Sequence, residues 1–182
     1  MSMTRKDRML AAIRGEPTDR IPWAPRLDLW YNANRRAGTL PAKYRKAALT
    51  ELVDDLDVGY HAVIPDFRDL DSDGNLWGVL DDFKAAGIDG LNPLEPLVGM
   101  YAGEVRKGYP DWVLMGGIDA SQLLPFATAE EVRATVRRTI DEAGARGRLW
   151  LGSSTEIHPA AKLENVLAMW DEIERCGYYA SV

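Results

Sequence analysis

Apolar residues recur at helical spacing near the start of the chain, where Met9, Ala12 and Ile13 follow Thr4 and Asp7. A hydroxyl with an acid three residues on opens a helix, Gly15 ends it, and Pro17 blocks its continuation. Ile21 to Ala24 is a short apolar run between breakers and reads as a first strand, with Pro22 confining it to an edge. Tyr44 to Leu56 predicts a second helix, with Ala48, Leu52 and Leu56 on one face, that delivers the chain to Gly59. Tyr60 to Ile64 then reads as another strand, with His61 packed in it.

From Asn75 onward the pattern is regular. Asn75 is placed to cap a helix carrying Leu76, Val79, Leu80 and Phe83, which stops at Gly87. Ile88 to Leu94 reads as a strand ending in Asn-Pro-Leu-Glu-Pro, and Val98 to Arg106 as a short helix. Trp112 to Met115 is the next strand, ending in Gly116-Gly117-Ile118-Asp119. Thr128 and Glu131 form a capping box for a helix bearing Val132, Val136 and Ile140. Leu149 to Gly152 is a further strand, and Val166, Met169, Trp170 and Ile173 give the last helix its buried stripe. Strand and helix alternate three times, which implies βαβ units and a parallel sheet. Two features break the pattern. Asp66 to Asp73 is polar where a buried strand is expected, and the chain offers about five strands where a closed (β/α)8 barrel has eight and takes roughly 250 residues.

With 182 residues, 46% of them hydrophobic and 27% charged, the chain has the profile of one soluble globular domain. A net charge of -6 disfavours nucleic acid, because phosphate recognition needs clustered Lys and Arg. Here the run Arg133, Arg137 and Arg138 reads as a solvated helix face. No apolar run approaches a membrane span and Met1 to Arg14 lacks a signal-like core, so the expected address is cytoplasmic. The one cysteine, Cys176, excludes an intrachain disulfide and reads as a structural thiol.

In parallel α/β architectures ligands bind at the carboxyl ends of strands. Three loops qualify: Asn92 with Glu95, Gly116 and Gly117 with Asp119, and Ser153, Ser154, Thr155, Glu156 and His158. With Asp71 and Asp73 ahead of Asn75, they form a carboxylate-rich mouth if the units pack in series. Carboxylate and imidazole suit a divalent metal or acid/base work. The same residues also have plainer readings: Gly-Gly-Ile-Asp as a tight turn with an aspartate cap, Glu95 as a solvated loop carboxylate, and His158 as a loop residue before Pro159. Spacing alone leaves the function open.

Read as strings, the residues say more. Thr4-Arg5-Lys6-Asp7-Arg8 through Gly15-Glu16-Pro17-Thr18-Asp19-Arg20-Ile21-Pro22 resembles the opening of uroporphyrinogen-decarboxylase-like proteins. Ala86-Gly87-Ile88-Asp89-Gly90-Leu91-Asn92-Pro93-Leu94-Glu95-Pro96, Gly116-Gly117-Ile118-Asp119, Thr128-Ala129-Glu130-Glu131-Val132 and Glu164-Asn165-Val166 resemble that superfamily's last barrel units, in order. The resemblance implies an α/β fold, a partial TIM (β/α)8-like barrel with parallel strands and the central strands missing. It implies one domain over 1–182, with an N-terminal barrel segment at 1–70 and C-terminal barrel units at 71–182, shortened internally near Leu70.

Two chemistries belong to the superfamily, methyl transfer involving a corrinoid and decarboxylation of a tetrapyrrole. In the decarboxylase branch, arginines bind the substrate's carboxylates. Arg35-Arg36-Ala37-Gly38-Thr39-Leu40-Pro41 is similar to that segment but one residue shorter, keeping Arg35 and losing the second arginine. In the methyltransferase branch, zinc on a His-x-Cys turn and a later Cys activates a thiol. Asp71-Ser72-Asp73 and Thr155-Glu156-Ile157-His158 stand at those places without cysteine, a harder ligand set.

The resemblance therefore implies a methyltransferase of the corrinoid (cobalamin)-dependent branch. The alternatives are a uroporphyrinogen decarboxylase, which is a carboxy-lyase of porphyrin biosynthesis, and a truncated non-catalytic remnant that needs a partner chain. The expected residues are Asp73, Glu156 and Asp119 in catalysis, Arg35, Asn92 and Glu95 toward substrate, and Asp73, Glu156 and His158 toward a divalent metal, zinc or other. A corrinoid enters as substrate or partner cofactor, a small molecule or corrinoid protein as partner. An open sheet leaves unpaired edges, which predicts self-association, most simply a dimer.

Overall fold

The computed structural model describes residues 3–25, 27–59, 74–145 and 147–177. Helix α1 (Arg5–Arg14) begins as its sequence dictates: the Thr4 hydroxyl accepts from the Asp7 amide at 3.1 Å, and Gly15 closes the helix at φ +68°. Three strands follow later in the chain, β1 (Gly90–Leu94), β2 (Val113–Ile118) and β3 (Leu149–Ser153). They form a parallel sheet in the order β1-β2-β3, with Leu114 opposite Leu149 and Met115 opposite Trp150. The fold is thus α/β with an open parallel sheet, as the alternation predicts.

The sheet's two faces differ. Leu91, Leu114, Leu149 and Leu151 are fully buried and share one core with Val132, Val136 and Met169 of the flanking helices. The period of two puts Asn92, Met115 and Trp150 on the other face, where they are only half-buried. Beyond β3 the sheet continues into the N-terminal segment, because Trp23 forms a parallel bridge with Leu151. The Gly59 amide in turn donates to the Trp23 carbonyl at 2.8 Å. Sequence-distant ends of the chain therefore lie side by side, as first and last strands do in a closed barrel. The strand expected over Ile21 to Ala24 is reduced to that bridge, since Pro22 and Pro25 flank Trp23 and neither has an N–H to extend a ladder. The strand expected at Tyr60 to Ile64, His61 within it, and the polar run Asp66 to Asp73 lie outside the described residues.

Several helices differ from the pattern's expectation. The stretch expected as helix from Tyr44 splits into a 3-10 turn (Ala42–Tyr44) and α3 (Leu49–Asp55). The Tyr31 hydroxyl binds the Ala47 carbonyl at 2.6 Å, and Glu51 accepts from the Ala48 amide at 2.6 Å, so the helix starts after Ala48. Helix α2 (Asp28–Ala37) was not expected, although Leu27, Trp30 and Tyr31 have helical spacing and Gly38 closes it at φ +71°. Asn75 does not cap a helix. Its side chain accepts from the Trp77 amide at 3.2 Å and donates to the Val98 carbonyl at 2.9 Å, and α4 is confined to Leu80–Ala85. The helix expected from Val98 divides at Gly99 (φ +86°) into a 3-10 turn (Pro96–Val98) and α5 (Ala102–Gly108).

After β2 come α6 (Leu123–Phe126) and α7 (Ala129–Ala143), and after β3 comes α8 (Leu163–Cys176). Thr128 and Glu131 form the expected capping box of α7. Where α7 packs on α8, Arg133 and Arg137 are not merely solvated: they reach Glu172, whose side chain is 1% exposed. Burial would raise the Glu172 carboxyl, but Arg175, the Cys176 thiol and Arg137 outweigh it and hold it at about 2. Burial, then Glu172, pushes the Cys176 thiol above its ordinary value, which disfavours the thiolate.

At the opposite end of the sheet, buried Arg106 donates to the carbonyls of Trp112 at 2.6 Å and Arg148 at 3.0 Å, tying the start of β2 to that of β3. Among the described residues no helix is long and apolar enough to cross a membrane.

Candidate functional site

The carboxyl ends of the strands are shaped first by glycine. β2 runs through Gly116 and Gly117 at φ +94° and +93°, so these are strand residues and not the loop the sequence suggests. A Cβ on Gly116 would lie 3.0 Å from the Leu94 amide nitrogen, so only glycine lets β1 and β2 approach this closely. The loop begins at Asp119. Its carboxylate accepts from the amides of Ser121 at 2.8 Å, Gln122 at 3.3 Å and Leu123 at 3.3 Å, which ties down the turn that leads into α6.

The loops after β2 and β3 are bonded to each other. The Ser154 amide donates to the Ile118 carbonyl at 2.7 Å, and the Ala120 amide donates to the Ser154 hydroxyl at 3.2 Å. Glu156 accepts from the Thr155 hydroxyl at 2.9 Å. His158 is exposed, and its Nδ1 accepts from the Ala160 amide at 3.1 Å. A neutral ring that accepts at Nδ1 carries its proton on Nε2, so it offers a cation no free lone pair unless that bond is given up. After β1, the Glu95 carboxylate accepts from the Gly74 amide at 3.0 Å and so anchors the segment that leads into α4.

Asn92, Gly116 and Ser153 are the expected residues that the fold brings together, and they line one cavity of about 10 Å³ with Ala24, Met115, Trp150 and Gly152. Ser153 is 5% exposed and its hydroxyl has no hydrogen-bond partner among the described residues. Arg35 stands apart in the last turn of α2, exposed, with one long bond of 3.3 Å to the Tyr31 hydroxyl. Asp71 and Asp73 lie outside the described residues.

Among the described residues, no three His, Cys, Asp or Glu side chains gather as a metal requires. The one cysteine is engaged with Glu172 at 3.0 Å, so the donor set does not fit a zinc–thiolate centre. The role of Ser153 within its loop was not legible, because a serine at a strand end is common. What distinguishes it is a buried hydroxyl with no partner among the described residues.

The sequence profile described as uroporphyrinogen decarboxylase (URO-D) matches residues 72–176. A curated relative, the uroporphyrinogen decarboxylase of Thioalkalivibrio sulfidiphilus, is 32% identical over 105 residues, which are 57% of this chain and 28% of that protein. The match therefore spans well under a third of the relative's length. Among solved structures, a methyltransferase from Methanosarcina mazei aligns with 59% of this chain and 30% of its own, at 22% identity and a TM-score of 0.49. The profile covers more than half of the chain and includes all three strands and the cavity residues from Asn92 to Ser153, and the chain accordingly belongs to the uroporphyrinogen decarboxylase family.

Proposed function

We propose that the chain is a barrel segment of a methyl-transferring member of this family, with the carboxyl edge of β1, β2 and β3 as one wall of the site. The observation that carries the reading is the chemistry of that wall. The cavity at the strand ends is lined by the Asn92 amide, glycines and apolar side chains, with no lysine or arginine among its described residues. A tetrapyrrole bearing several carboxylates needs cations that converge on it, and exposed Arg35 is the one arginine the decarboxylase-like segment retains in the expected place. Decarboxylation is the second reading, favoured by the curated relative that is 32% identical.

On this proposal Asn92 orients substrate, and Glu156 and Glu95 supply negative potential at the rim. A second copy covers the half-buried face that carries Met115 and Trp150, so that 1–70 and 71–182 act as one domain within a dimer. The test is a pair of assays on the full chain, methyl transfer from methylcobalamin to a small thiol and conversion of uroporphyrinogen to less carboxylated tetrapyrroles. Thiol methylation above the protein-free rate, lost in Asn92→Leu, is the expected result. Decarboxylation without thiol methylation selects the second reading, and neither activity in monomer or dimer marks the chain as a non-catalytic remnant.

A further inference from the structure

Three helices turn apolar side chains toward one space and do not close on it. On α8, Leu163, Leu167 and Trp170 follow at intervals of four and three residues and so lie along one side of the helix, away from core residues Met169 and Ile173. Opposite them stand Leu27 and Trp30 at the start of α2, and Leu52 and Leu56 along α3 and at its end. Between these walls a cavity of about 410 Å³ remains. A packed interior leaves few voids larger than a water molecule, whereas pockets for small organic ligands run from about 300 to 1,000 Å³. This cavity shares no described residue with the one at the strand ends.

The residues differ in depth. Leu27, Trp30 and Leu52 are 4%, 6% and 1% exposed and form the floor, whereas Leu163 and Leu167 are 40% and 39% exposed and flank the mouth. The walls are braced without help from an occupant: the Tyr31 hydroxyl ties α2 to the Ala47 carbonyl ahead of α3 at 2.6 Å, and the Tyr44 hydroxyl donates to Asp55 at 2.6 Å. Lys43 and Asp55 are the charged residues of the described lining, and they cancel each other. The Lys43 ammonium donates at 2.5 Å to the same Asp55 oxygen that Tyr44 engages. An ionic group entering here would lose hydration against apolar walls and meet no unpaired opposite charge. The rings of Trp30, Tyr44 and Trp170 supply broad apolar surface instead.

We propose that this cavity binds an uncharged aromatic small molecule, at a site separate from the strand ends. A floor this deep is out of reach of the flat face of a second copy, which favours a small molecule as the occupant. Bound there, it would join the N-terminal segment, through α2 and α3, to the last helix.

The test is titration of the full chain at neutral pH with 2-naphthol, which is uncharged, and with 2-naphthoate and 2-naphthylmethylammonium, which carry similar rings with a charge. Amide chemical shifts and melting are the readouts. 2-Naphthol is expected to move the amides of Tyr44, Leu56 and Leu167 along one saturable curve, and to raise Tm by about 5–10 °C at a hundredfold excess over Kd. Either ion is expected to bind about tenfold more weakly or worse. Leu167→Trp fills the mouth from an exposed position and is expected to weaken 2-naphthol about tenfold; Leu163→Arg serves if that variant does not fold. Unmoved amides, or unchanged affinity in the variants, would overturn the site, and equal binding of the ions would overturn its neutral character. A dimer that Leu167→Trp splits, in a chain that ignores 2-naphthol, would give the cavity to a second copy and overturn the ligand. Binding is read without a methyl-transfer assay, so this site and the proposed function can fail independently.

Discussion

Replacing Glu172 by glutamine keeps the side chain's shape and removes its charge. The carboxylate is 1% exposed and faces Arg137 at 3.0 Å, Arg133 at 3.7 Å, the Arg175 guanidinium and the Cys176 thiol. Its carboxyl titrates at about 2 when folded, against an ordinary 4.5. That gap corresponds to roughly 3 kcal/mol of stability in the ionised form. The three arginines are 29%, 35% and 62% exposed on their side chains, so they regain water when the carboxylate is lost and the net cost falls to about 2 kcal/mol. For a chain of this size that lowers Tm by about 4–8 °C.

The depressed value also sets the sign of the pH dependence. The stabilisation is present above about 4.5 and is lost as pH falls from there toward about 2. Urea unfolding of parent and variant at pH 7, 4 and 2.5 should therefore give a stability difference that shrinks as pH falls. A constant difference across that range, or one below about 0.5 kcal/mol at pH 7, would refute the assignment of Glu172 as the ionised centre of the α7–α8 contact.

Gly116→Ala forces a Cβ to 3.0 Å from the Leu94 amide at φ +94°, and the expected loss is about 1–3 kcal/mol by thermal melting. Asp119→Ala removes the acceptor that holds the turn before α6 and should cost about 1 kcal/mol by thermal melting; a loss of methyl transfer in a variant that melts like the parent would restore Asp119 as a site residue. Calorimetry with divalent cations on the parent, Glu156→Ala and Asp73→Ala tests the metal set that the sequence suggests, Asp73, Glu156 and His158: binding lost in both variants would establish it, and equal binding by all three, or none by the parent, would exclude it. Light scattering should show a dimer at micromolar concentration, and a monomer that melts cooperatively would contradict self-association.

The parallel sheet and the helices with paired signals were legible. Thr4 with Gly15, and Thr128 with Glu131, each define a helix end by a local hydrogen bond that the residue types dictate. Where one signal stood alone the reading drifted. Asn75 has the chemistry of a cap, yet its side chain is drawn to the Val98 carbonyl by a contact that no local pattern records. Arg106 and Glu172 could not be found from sequence at all, since each is an ordinary charged residue on a helix until tertiary packing buries it. The site divides in the same way. Asp119 was legible as an acid after a strand, but which of its two readings holds depends on three backbone amides only the fold positions. His158 has its ring nitrogen engaged by a neighbour two residues on, which the spacing before Pro159 does not announce.

The bridge between Trp23 and Leu151 has a consequence for how the protein comes to be folded. The two residues are separated by most of the chain, and the contact closes a loop whose entropic cost must be met before it contributes any stability. On the ribosome the N-terminal segment emerges long before β3 exists. Trp23 must then wait, with its apolar surface uncovered, until Leu151 has been synthesised. Helix α1 is the part of that segment held by its own caps, so it can form early, whereas the Ile21 to Ala24 run stays unpaired until β3 has been made, although it is synthesised well before it.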